Sequence, residues 1–378
     1  MADVSVTING VIFANPVLPA AGPNVRTGAM MVAAARGGAG GLVSKTVSVR
    51  PARDERPTIR RTGNGGLMNS ETWSEIPVEE YLDDLARAKR TGLPLVVSIG
   101  YGPDEVARLG KLVEREVSPD VFEFSTHYSG RDAGPLVDVA RSLREAVHTP
   151  IWMKISPNVV DVGALAQAVS PYVDGFVAIN SYGPVLDFDP DDPVRLLGSA
   201  DGTGWLSGPP IRPIALQIVR ELAQSQDKPV VGVGGISTGR DAIQFLMVGA
   251  HLVQVCSEAI RSGHGVYGRI AGEIDAWLEA HDHESVADIR GAFPAGPPRI
   301  GGRDGTGADG ETDSARRVVI AVDAELCTGC GSCFRACMHG ALQMGDGVAV
   351  ATPAACIGCG YCLESCRFTA LCLEEQTA

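Results

Sequence analysis

Short apolar runs of β type alternate with amphipathic helical stretches along most of the chain. The runs cover residues 18–21, 41–47, 95–100, 121–125, 151–156, 175–181, 230–235 and 252–257. Helical periodicity lies between them, including residues 103–117, 136–146, 162–169, 214–223 and 239–248. Strands of a buried parallel sheet are apolar throughout, so eight such β–α units predict a (βα)8 TIM barrel of the α/β class. A doubly wound sheet is the alternative left open by this pattern.

Two segments interrupt the alternation and are predicted to be long loops. Residues 51–77 follow the second predicted strand, residues 182–207 follow the sixth, and both are rich in Gly, Asp or Pro. In a barrel such loops lie at the carboxyl-terminal face, where sites are built. Residues 4–12 alternate and turn at Asn9-Gly10, which predicts a short hairpin before the barrel.

Cysteines dominate the end of the chain, where eight of the ten form two runs of the spacing C-x-x-C-x-x-C-x-x-x-C. The runs are Cys327, Cys330, Cys333, Cys337 and Cys356, Cys359, Cys362, Cys366. This spacing is that of a two-cluster bacterial ferredoxin, in which the fourth cysteine of each run ligates the other cluster. The predicted ligand sets for two [4Fe–4S] clusters are Cys327, Cys330, Cys333 with Cys366, and Cys356, Cys359, Cys362 with Cys337.

Other uses of cysteine fit this spacing less well. Zinc ribbons use two C-x-x-C pairs without the added third and fourth cysteines, and disulfide frameworks belong to secreted proteins. One departure from the ferredoxin pattern is that Met338 and Arg367 follow the fourth cysteines, where proline is usual. This departure removes no ligand.

A stretch rich in Gly, Pro and Asp separates the predicted barrel from the cysteine runs. Its composition cannot bury a core, which is typical of a linker. We predict a barrel domain over residues 1–292, a linker over 293–315 and a small ferredoxin-like domain with two [4Fe–4S] clusters over 316–378. Strands of the small domain are expected at 317–322 and 348–351.

Composition and charge limit the function classes. The chain has 378 residues, of which 45% are hydrophobic and 20% charged, and its net charge of −13 argues against nucleic acid as a partner. No signal peptide and no apolar run long enough to span a bilayer are visible, so we expect a cytoplasmic protein without membrane contact. No Gly-x-Gly-x-x-Gly follows a predicted strand, which argues against a nicotinamide or FAD domain.

Residues at the ends of predicted strands indicate a phosphate site. Strand seven ends with Gly234-Gly235, and strand eight ends with Cys256-Ser257. Phosphate-binding barrels hold the phosphate after these two strands, and glycines let backbone N–H groups approach an anion. For the glycines alone, an ordinary tight turn is an equally good explanation.

Further motifs at strand ends carry a family resemblance over about residues 5–280. They are Lys45-Thr46, Lys154, Asn180-Ser181, Ser-Gly-Pro-Pro-Ile-Arg-Pro-Ile at 207–214 and Gly-Gly-Ile at 234–236. This set resembles the dihydroorotate dehydrogenase superfamily, which binds FMN on a (βα)8 barrel. Met-Asn-Ser-Glu at 68–71, Val-Cys-Ser at 255–257 and the cysteine runs resemble most closely the catalytic FMN and iron–sulfur subunit of bacterial dihydropyrimidine dehydrogenase.

The resemblance implies roles for the matching residues. Lys45 and Lys154 would face the isoalloxazine, where a cation stabilises reduced flavin, and Lys45 would act in catalysis. Lysines that merely pair with carboxylates are the structural alternative. The implied FMN contacts are Ala20, Ala21, Lys45, Thr46, Asn69, Lys154, Asn180, Gly208, Gly234, Gly235, Cys256 and Ser257, of which the last four would hold the phosphate. The implied substrate contacts are Asn69, Glu71, Glu123, Asn180 and Ser181, whose groups suit a ring bearing C=O and N–H.

The end of strand four departs from the family, which has Asn-Leu-Ser-Cys-Pro with the cysteine as proton donor. This sequence reads Glu-Phe-Ser-Thr-His-Tyr over residues 123–128. Alignment on Ser125 puts Glu123 on the substrate-binding asparagine and Thr126 on the cysteine. A hydroxyl is a weaker acid than a thiol, although membrane-type dihydroorotate dehydrogenases use a serine there. The predicted catalytic proton donors are therefore Thr126 or His127, and an ordinary loop histidine is the alternative for His127.

Together these features predict an FMN and iron–sulfur oxidoreductase that reduces or forms a C=C bond in a small cyclic substrate, as dihydropyrimidine dehydrogenase does. Because Glu123 replaces an amide, a non-pyrimidine ring or enoyl substrate is one alternative. An electron-transfer subunit without substrate chemistry is another. The expected partner is an external ferredoxin or an FAD/NAD(P)H subunit, and the expected assembly is a homo-oligomer or hetero-oligomer.

Overall fold

The computed structural model describes residues 2–125, 132–193, 196–294 and 317–376. The chain divides into two compact units, Met1–Phe293 and Pro294–Ala378. Most of the predicted linker, and both Thr126 and His127, lie outside the described residues.

Eight short parallel strands form the centre of the first unit. They are β1 (Val17–Pro19), β2 (Leu42–Val43), β3 (Leu95–Ile99), β4 (Val121–Ser125), β5 (Ile151–Ile155), β6 (Gly175–Ala178), β7 (Val230–Val233) and β8 (Leu252–Val255). They pair in the order β1-β8-β7-β6-β5-β4-β3-β2, and the Gly40 N–H donates to the Val17 carbonyl at 2.9 Å where β1 and β2 approach. The predicted (βα)8 barrel is confirmed, and the doubly wound sheet is excluded.

A helix follows each barrel strand. These helices are α1 (Gly28–Arg36), α2 (Val78–Lys89), α3 (Pro103–Val117), α4 (Gly134–Ala146), α5 (Val162–Val169), α6 (Arg212–Ser225), α7 (Gly239–Met247) and α8 (Ser257–Ser262), and α9 (Val266–Ala280) and α10 (Val286–Ile289) come after them. Every residue of β3, β4 and β5 is buried, which is why the sequence shows these strands as mostly apolar runs. Each long helix buries a single face, such as Leu109 and Val113 of α3, and this produces the helical periodicity.

An amino-terminal hairpin packs against the start of β5. Val6–Ile8 and Val11–Phe13 pair antiparallel around Asn9 and Gly10, whose φ values are 51° and 79°. The hairpin predicted at this position is confirmed. Asn9 accepts a hydrogen bond from the Trp152 indole at 2.9 Å, and the fully buried Phe13 ring lies 6.1 Å from the Trp152 ring.

The two segments predicted as long loops contain strands, so that prediction is wrong in part. Four strands form an antiparallel sheet in the order Tyr182–Val185, Gly204–Ser207, Leu67–Asn69 and Ile59–Arg61. Each has three or four residues, too few for an alternating pattern to stand out, and the central pairing joins two segments far apart in the sequence. Since the segments follow β2 and β6, the sheet lies beside the carboxyl-terminal end of the barrel.

The second unit repeats one arrangement twice. Arg317–Val322 pairs with Leu371–Gln376, and Leu342–Gly345 pairs with Val348–Ala351. Two short helices, Ser332–Ala336 and Tyr361–Glu364, each start after a glycine with φ above +70° that follows the second cysteine of a run. A small core includes Val319, Ile320, Leu342 and Leu371 with buried cysteines. Across the described parts of both units, no helix is long and apolar enough to cross a membrane.

Candidate active site and cluster sites

A cleft at the carboxyl-terminal ends of the barrel strands brings together most of the predicted site residues. It holds about 940 Å³ of space, counting its open mouth. The predicted residues that line it are Ala20, Ala21, Lys45, Thr46, Asn69, Glu71, Lys154, Asn180, Ser181, Gly208, Gly234, Gly235, Cys256 and Ser257. Glu123 is not among them, and Thr126 and His127 lie outside the described residues.

Lys45, just beyond β2, forms a buried ion pair with Glu71 of the loop that follows. Its Nζ lies 2.8 Å from Glu71 Oε2, and the two side chains are 6% and 4% exposed. Glu71 Oε1 accepts further hydrogen bonds from Arg26 and Thr58, both at 3.1 Å. Burial raises the pKa of the Glu71 carboxyl, but Lys45, Arg26 and Thr58 outweigh burial and hold that pKa below its ordinary value. Both oxygens of this predicted substrate contact therefore have protein partners, Lys45 at Oε2 and Arg26 with Thr58 at Oε1.

A second lysine, Lys154 on β5, also lines the cleft and also has a carboxylate partner. Its Nζ lies 3.4 Å from Glu123 Oε1 on β4 and 3.4 Å from Gln254 Oε1 on β8. Gln254 Nε2 donates to Glu123 Oε2 at 2.7 Å, which closes a triangle of three groups. Glu123 is completely buried. Its carboxylate contacts Lys154 and Gln254, whereas the alignment predicted a contact with substrate.

Glycines form one wall of the cleft. Gly208, Gly234 and Gly235 have φ values of 88°, 135° and 73°, and a Cβ at Gly235 would lie 2.7 Å from the Gly208 carbonyl oxygen. Side chains are thus excluded where the backbones from β7 and the 207–214 segment meet. Ser257 and Ser207 join the same wall through a hydroxyl–hydroxyl hydrogen bond of 2.9 Å. A bare backbone with hydroxyls beside it suits a phosphate group.

Cys256 lies in this wall as a neutral thiol. Burial raises the pKa of Cys256 to about 11, and its Sγ donates to Asn24 Oδ1 at 3.0 Å. The fixed thiol adds no negative charge next to the wall, which is compatible with an anion there.

Two amides are held in place at the mouth of the cleft. Asn180 Nδ2 donates to Ser125 Oγ at 3.1 Å, and the Ser181 backbone N–H donates to Asn180 Oδ1 at 2.8 Å. Asn69 Nδ2 donates to the Trp205 carbonyl at 3.3 Å. These contacts restrict the amide rotamers. The protein therefore sets the direction of the amide donors and acceptors that remain for a ligand.

Several residues of the cleft were missed by sequence reasoning, namely Gly22, Pro23, Thr72, Tyr101, Ser125, Trp205, Ser207 and Gln254. Ser125 and Gln254 had a signal, because each is a polar residue at the end of an apolar strand. Trp205 had none, since its place depends on the pairing of Gly204–Ser207 with Leu67–Asn69. Tyr101 packs against Trp73 with ring centroids 5.1 Å apart, which makes part of the cleft aromatic.

In the second unit, the fourth cysteine of the second run joins the first three cysteines of the first run. A cleft of about 320 Å³, counting its open mouth, is lined by Cys327, Cys330, Cys333 and Cys366, the set predicted to hold one cluster. Burial raises the pKa of the Cys333 thiol, and the nearby Cys327 and Cys366 thiols raise it further. The Ala349 N–H donates to Cys327 Sγ at 3.3 Å, a bond that stabilises a ligating sulfur.

The other predicted set is brought together in the same crosswise way. Burial raises the pKa of Cys362, and Cys337, Cys359 and Cys356 raise it further because all three thiols lie near it. The Ile320 N–H donates to Cys356 Sγ at 3.3 Å. Among the described residues, no three His, Cys, Asp or Glu side chains are grouped to hold a single metal ion. A [4Fe–4S] cluster is larger than one metal ion, so its cysteine ligands lie further apart than the ligands of a single ion.

Comparison with known proteins agrees with both units. Residues 3–278 match the family described as dihydroorotate dehydrogenase. The chain belongs to the dihydroorotate dehydrogenase family. Residues 319–367 match the 4Fe-4S dicluster domain, so the second unit is an iron–sulfur domain of this kind.

Three relatives are named dihydroorotate dehydrogenase B (NAD(+)), catalytic subunit. That of Methanocaldococcus jannaschii is 33% identical over 288 residues, covering 72% of this chain and 92% of the relative. That of Pyrococcus abyssi is 32% identical over 301 residues, covering 76% and 98%. That of Methanosarcina mazei is 32% identical over 299 residues, covering 75% and 93%.

The two matches combine an FMN-type oxidoreductase barrel and a 4Fe-4S dicluster domain in this chain. The predicted cofactors, FMN and [4Fe–4S] clusters, are thereby confirmed. The cleft fits FMN, since buried lysines line one part of it and a glycine wall that excludes side chains lines another. The finer resemblance to dihydropyrimidine dehydrogenase does not appear in the names of these relatives and stays a prediction.

Proposed function

We propose that this chain is the catalytic subunit of an oxidoreductase that acts on the CH–CH bond of a small cyclic substrate, in the manner of dihydropyrimidine dehydrogenase. The observation that carries the proposal is that two buried lysines and two fixed amides line one cleft. Lysines suit a reduced flavin, and amides suit a polar ring. FMN, when bound, supplies hydride exchange with one carbon of the substrate bond.

The two lysines provide the electrostatic part of the reaction. Lys45 and Lys154 are each only 5% exposed, so their charges act in a site with little water. Glu71 holds Lys45 from the loop side, and Glu123 with Gln254 hold Lys154 from the barrel interior. Charges fixed before the reaction cost no reorganisation when negative charge develops on the cofactor.

Substrate recognition is assigned to Asn69, Asn180 and Ser181. Their amide and hydroxyl groups can donate to a ring carbonyl and accept from a ring N–H, and a ring that leaves them unmatched is penalised. Glu71 acts through Lys45, and Glu123 is not proposed as a substrate contact. Thr126 or His127 is proposed as the group that exchanges a proton with the second carbon, on the alignment alone.

A second candidate is the same reaction on a ring other than a pyrimidine. Glu123 occupies the position of the family's substrate-binding asparagine, and its carboxylate is taken up by Lys154 and Gln254. One amide contact to substrate is therefore missing. Tyr101 and Trp205 line the same cleft and offer apolar ring surface, which favours a less polar cyclic substrate.

Electrons are proposed to pass between the clusters and FMN one at a time. The external partner would be a ferredoxin or an FAD/NAD(P)H subunit. NAD(+) in the names of the relatives supports the second of these for the present chain.

The test is anaerobic mixing of the oxidised holoenzyme with dihydroorotate, dihydrouracil, dihydrothymine and saturated non-pyrimidine rings, followed by flavin absorbance. Bleaching by a dihydropyrimidine supports the first candidate, and bleaching only by other rings supports the second. If no ring bleaches a flavin that dithionite reduces, the proposal fails and the chain is an electron-transfer subunit.

A further inference from the structure

We propose that Glu123 is a positioning residue that, with Gln254, fixes the Lys154 ammonium and offsets its charge, so that FMN in this chain has a lower reduction potential than an unpaired lysine would give it. This inference rests on the proposed function in one respect, that FMN occupies the cleft that Lys154 lines. It assigns to Glu123 a role different from the substrate contact implied by the family alignment.

The barrel interior explains why Glu123 acts on Lys154. Glu123 is on β4, Lys154 on the neighbouring β5, and Gln254 on β8 across the barrel. Their exposed fractions are 0%, 5% and 1%. A fully buried carboxylate requires a cation or several donors, and among the described residues its ion-pair partner is Lys154. Lys154 reaches the cleft wall, whereas Glu123 stays beneath it.

Gln254 contacts both charged groups and so links Lys154 with Glu123. Its amide oxygen accepts from Lys154 Nζ at 3.4 Å, while its amide nitrogen donates to Glu123 Oε2 at 2.7 Å. Because one side chain contacts both charged groups, it restricts the positions of both. The contacts of Lys154 are long, so its ammonium is held in place while donor capacity remains for a group in the cleft.

The electrostatic consequence follows from the sign of the two charges. A lysine alone near the flavin favours the reduced, anionic form, and a carboxylate 3.4 Å from that lysine opposes part of this effect. An asparagine at the same position, as in the family pattern, is neutral and opposes none of it. Replacing Glu123 by a neutral residue should therefore make FMN easier to reduce.

The experiment compares Glu123→Gln with the wild type as purified FMN holoenzymes. Gln keeps the size and the ability to contact Lys154 and Gln254 but removes the charge. We expect the equilibrium between oxidised and reduced FMN to shift at least tenfold toward the reduced form, which corresponds to about 30 mV for two electrons. Sulfite, an anion that adds to oxidised flavin, should bind at least tenfold more tightly, which gives a readout independent of turnover.

Two further variants make the result specific. Glu116→Gln removes the same charge from an exposed side chain that pairs with Arg115, and it should leave both the potential and the sulfite affinity unchanged. Glu123→Asn also removes the charge, using the residue that the family pattern has at this position, and should shift both in the same direction as Glu123→Gln. This variant also decides the matter if Glu123→Gln fails to retain FMN.

The possible results separate this inference from the proposed function. An unchanged FMN potential in Glu123→Gln, or in Glu123→Asn where that variant is needed, overturns the inference and leaves the proposed function standing. A change in substrate KM alone, with potential and sulfite affinity as in the wild type, would instead make Glu123 a substrate-site residue. Wild-type chain purified without any flavin would contradict the proposed function itself.

Discussion

Lys45 and Glu71 form an ion pair of 2.8 Å that is almost fully buried in the wall of the cleft. We expect Glu71→Gln to lower the free energy of unfolding by about 3–5 kcal/mol, because removing one partner of a buried pair leaves the other charge uncompensated. Urea unfolding of the holoenzyme measures this change. Glu75→Gln is the control, since Glu75 is partly exposed and its pairs with Arg26 and Arg56 should contribute about 1 kcal/mol or less.

The same pair predicts a dependence on acid. The pKa of Glu71 is lower in the folded protein than in the unfolded chain, so its contribution is present above the ordinary carboxyl pKa and is lost as pH falls through the folded value. Glu71→Gln should lack this loss. Equal acid sensitivity of variant and wild type would show that the pair contributes nothing to stability.

His251 predicts a second dependence on pH, in a different window. Burial, with Arg290 nearby, lowers the pKa of His251 to about 4, and its Nδ1 accepts from the Val230 N–H at 3.4 Å. The unfolded chain takes up this proton near pH 6.5 and the folded chain does not, so stability is lost as pH falls from about 6.5 to about 4. The slope from this group is at most about 1.4 kcal/mol per pH unit.

Urea unfolding at pH 7, 6 and 5 tests the histidine. His251→Asn should remove part of the slope, and replacement of the exposed His281 by Asn should not. If the two variants show the same slope as the wild type, His251 is not the source of the pH dependence.

Crosswise ligation predicts how cysteine variants combine. Holoenzyme should contain about eight irons and about one FMN per chain. Cys366→Ser and Cys330→Ser fall in the same set, so the double variant should lose about four irons, no more than either single variant. Cys337→Ser with Cys366→Ser should lose both clusters. Cys372→Ser, outside both sets, is the control, and iron analysis with EPR of the reduced protein makes the measurement.

Ligation within each run would reverse the cysteine result. In that case Cys330→Ser with Cys366→Ser would remove both clusters, since each run would hold its own. A colourless protein that contains zinc would contradict the cluster assignment altogether.

The alignment of the strand-four loop predicts the proton donor. Thr126→Ala should slow flavin reduction by substrate by about 10²–10⁴-fold while leaving transfer between clusters and FMN unchanged. If His127 is the donor, His127→Asn should show this loss instead, with a rate profile that inflects near neutral pH in the wild type. Stopped-flow measurement of the half-reaction distinguishes them. Wild-type rates in both variants would exclude this loop as the proton source.

The sequence was informative where structure depends on local spacing. The barrel strands are buried on both faces and therefore appear in the sequence as mostly apolar runs. The spacing of Cys327, Cys330 and Cys333 is by itself typical of an iron–sulfur cluster. Lys45 and Lys154 were identified as motif residues of predicted strands, and the family resemblance implied their role at the cofactor. The family resemblance then added the glycines and amides of the cleft.

What the sequence did not show depends on contacts between distant segments. The sheet at the mouth of the cleft exists because Trp205 pairs with Asn69, and neither short strand has a pattern of its own. The direction of the Glu123 side chain is set by β5 and β8, which place Lys154 and Gln254 beside it. Alignment supplied the family position of Glu123 but not its partners.

The most direct test of the central claim, that one chain couples a CH–CH bond to FMN and then to its clusters, is rapid anaerobic mixing of oxidised holoenzyme with a reducing cyclic substrate. Flavin absorbance and freeze-quenched EPR are followed in the same reaction. We expect the flavin to bleach first and reduced-cluster signals to appear afterwards. Cluster reduction without prior flavin bleaching, or bleaching that never reaches the clusters, would contradict the claim.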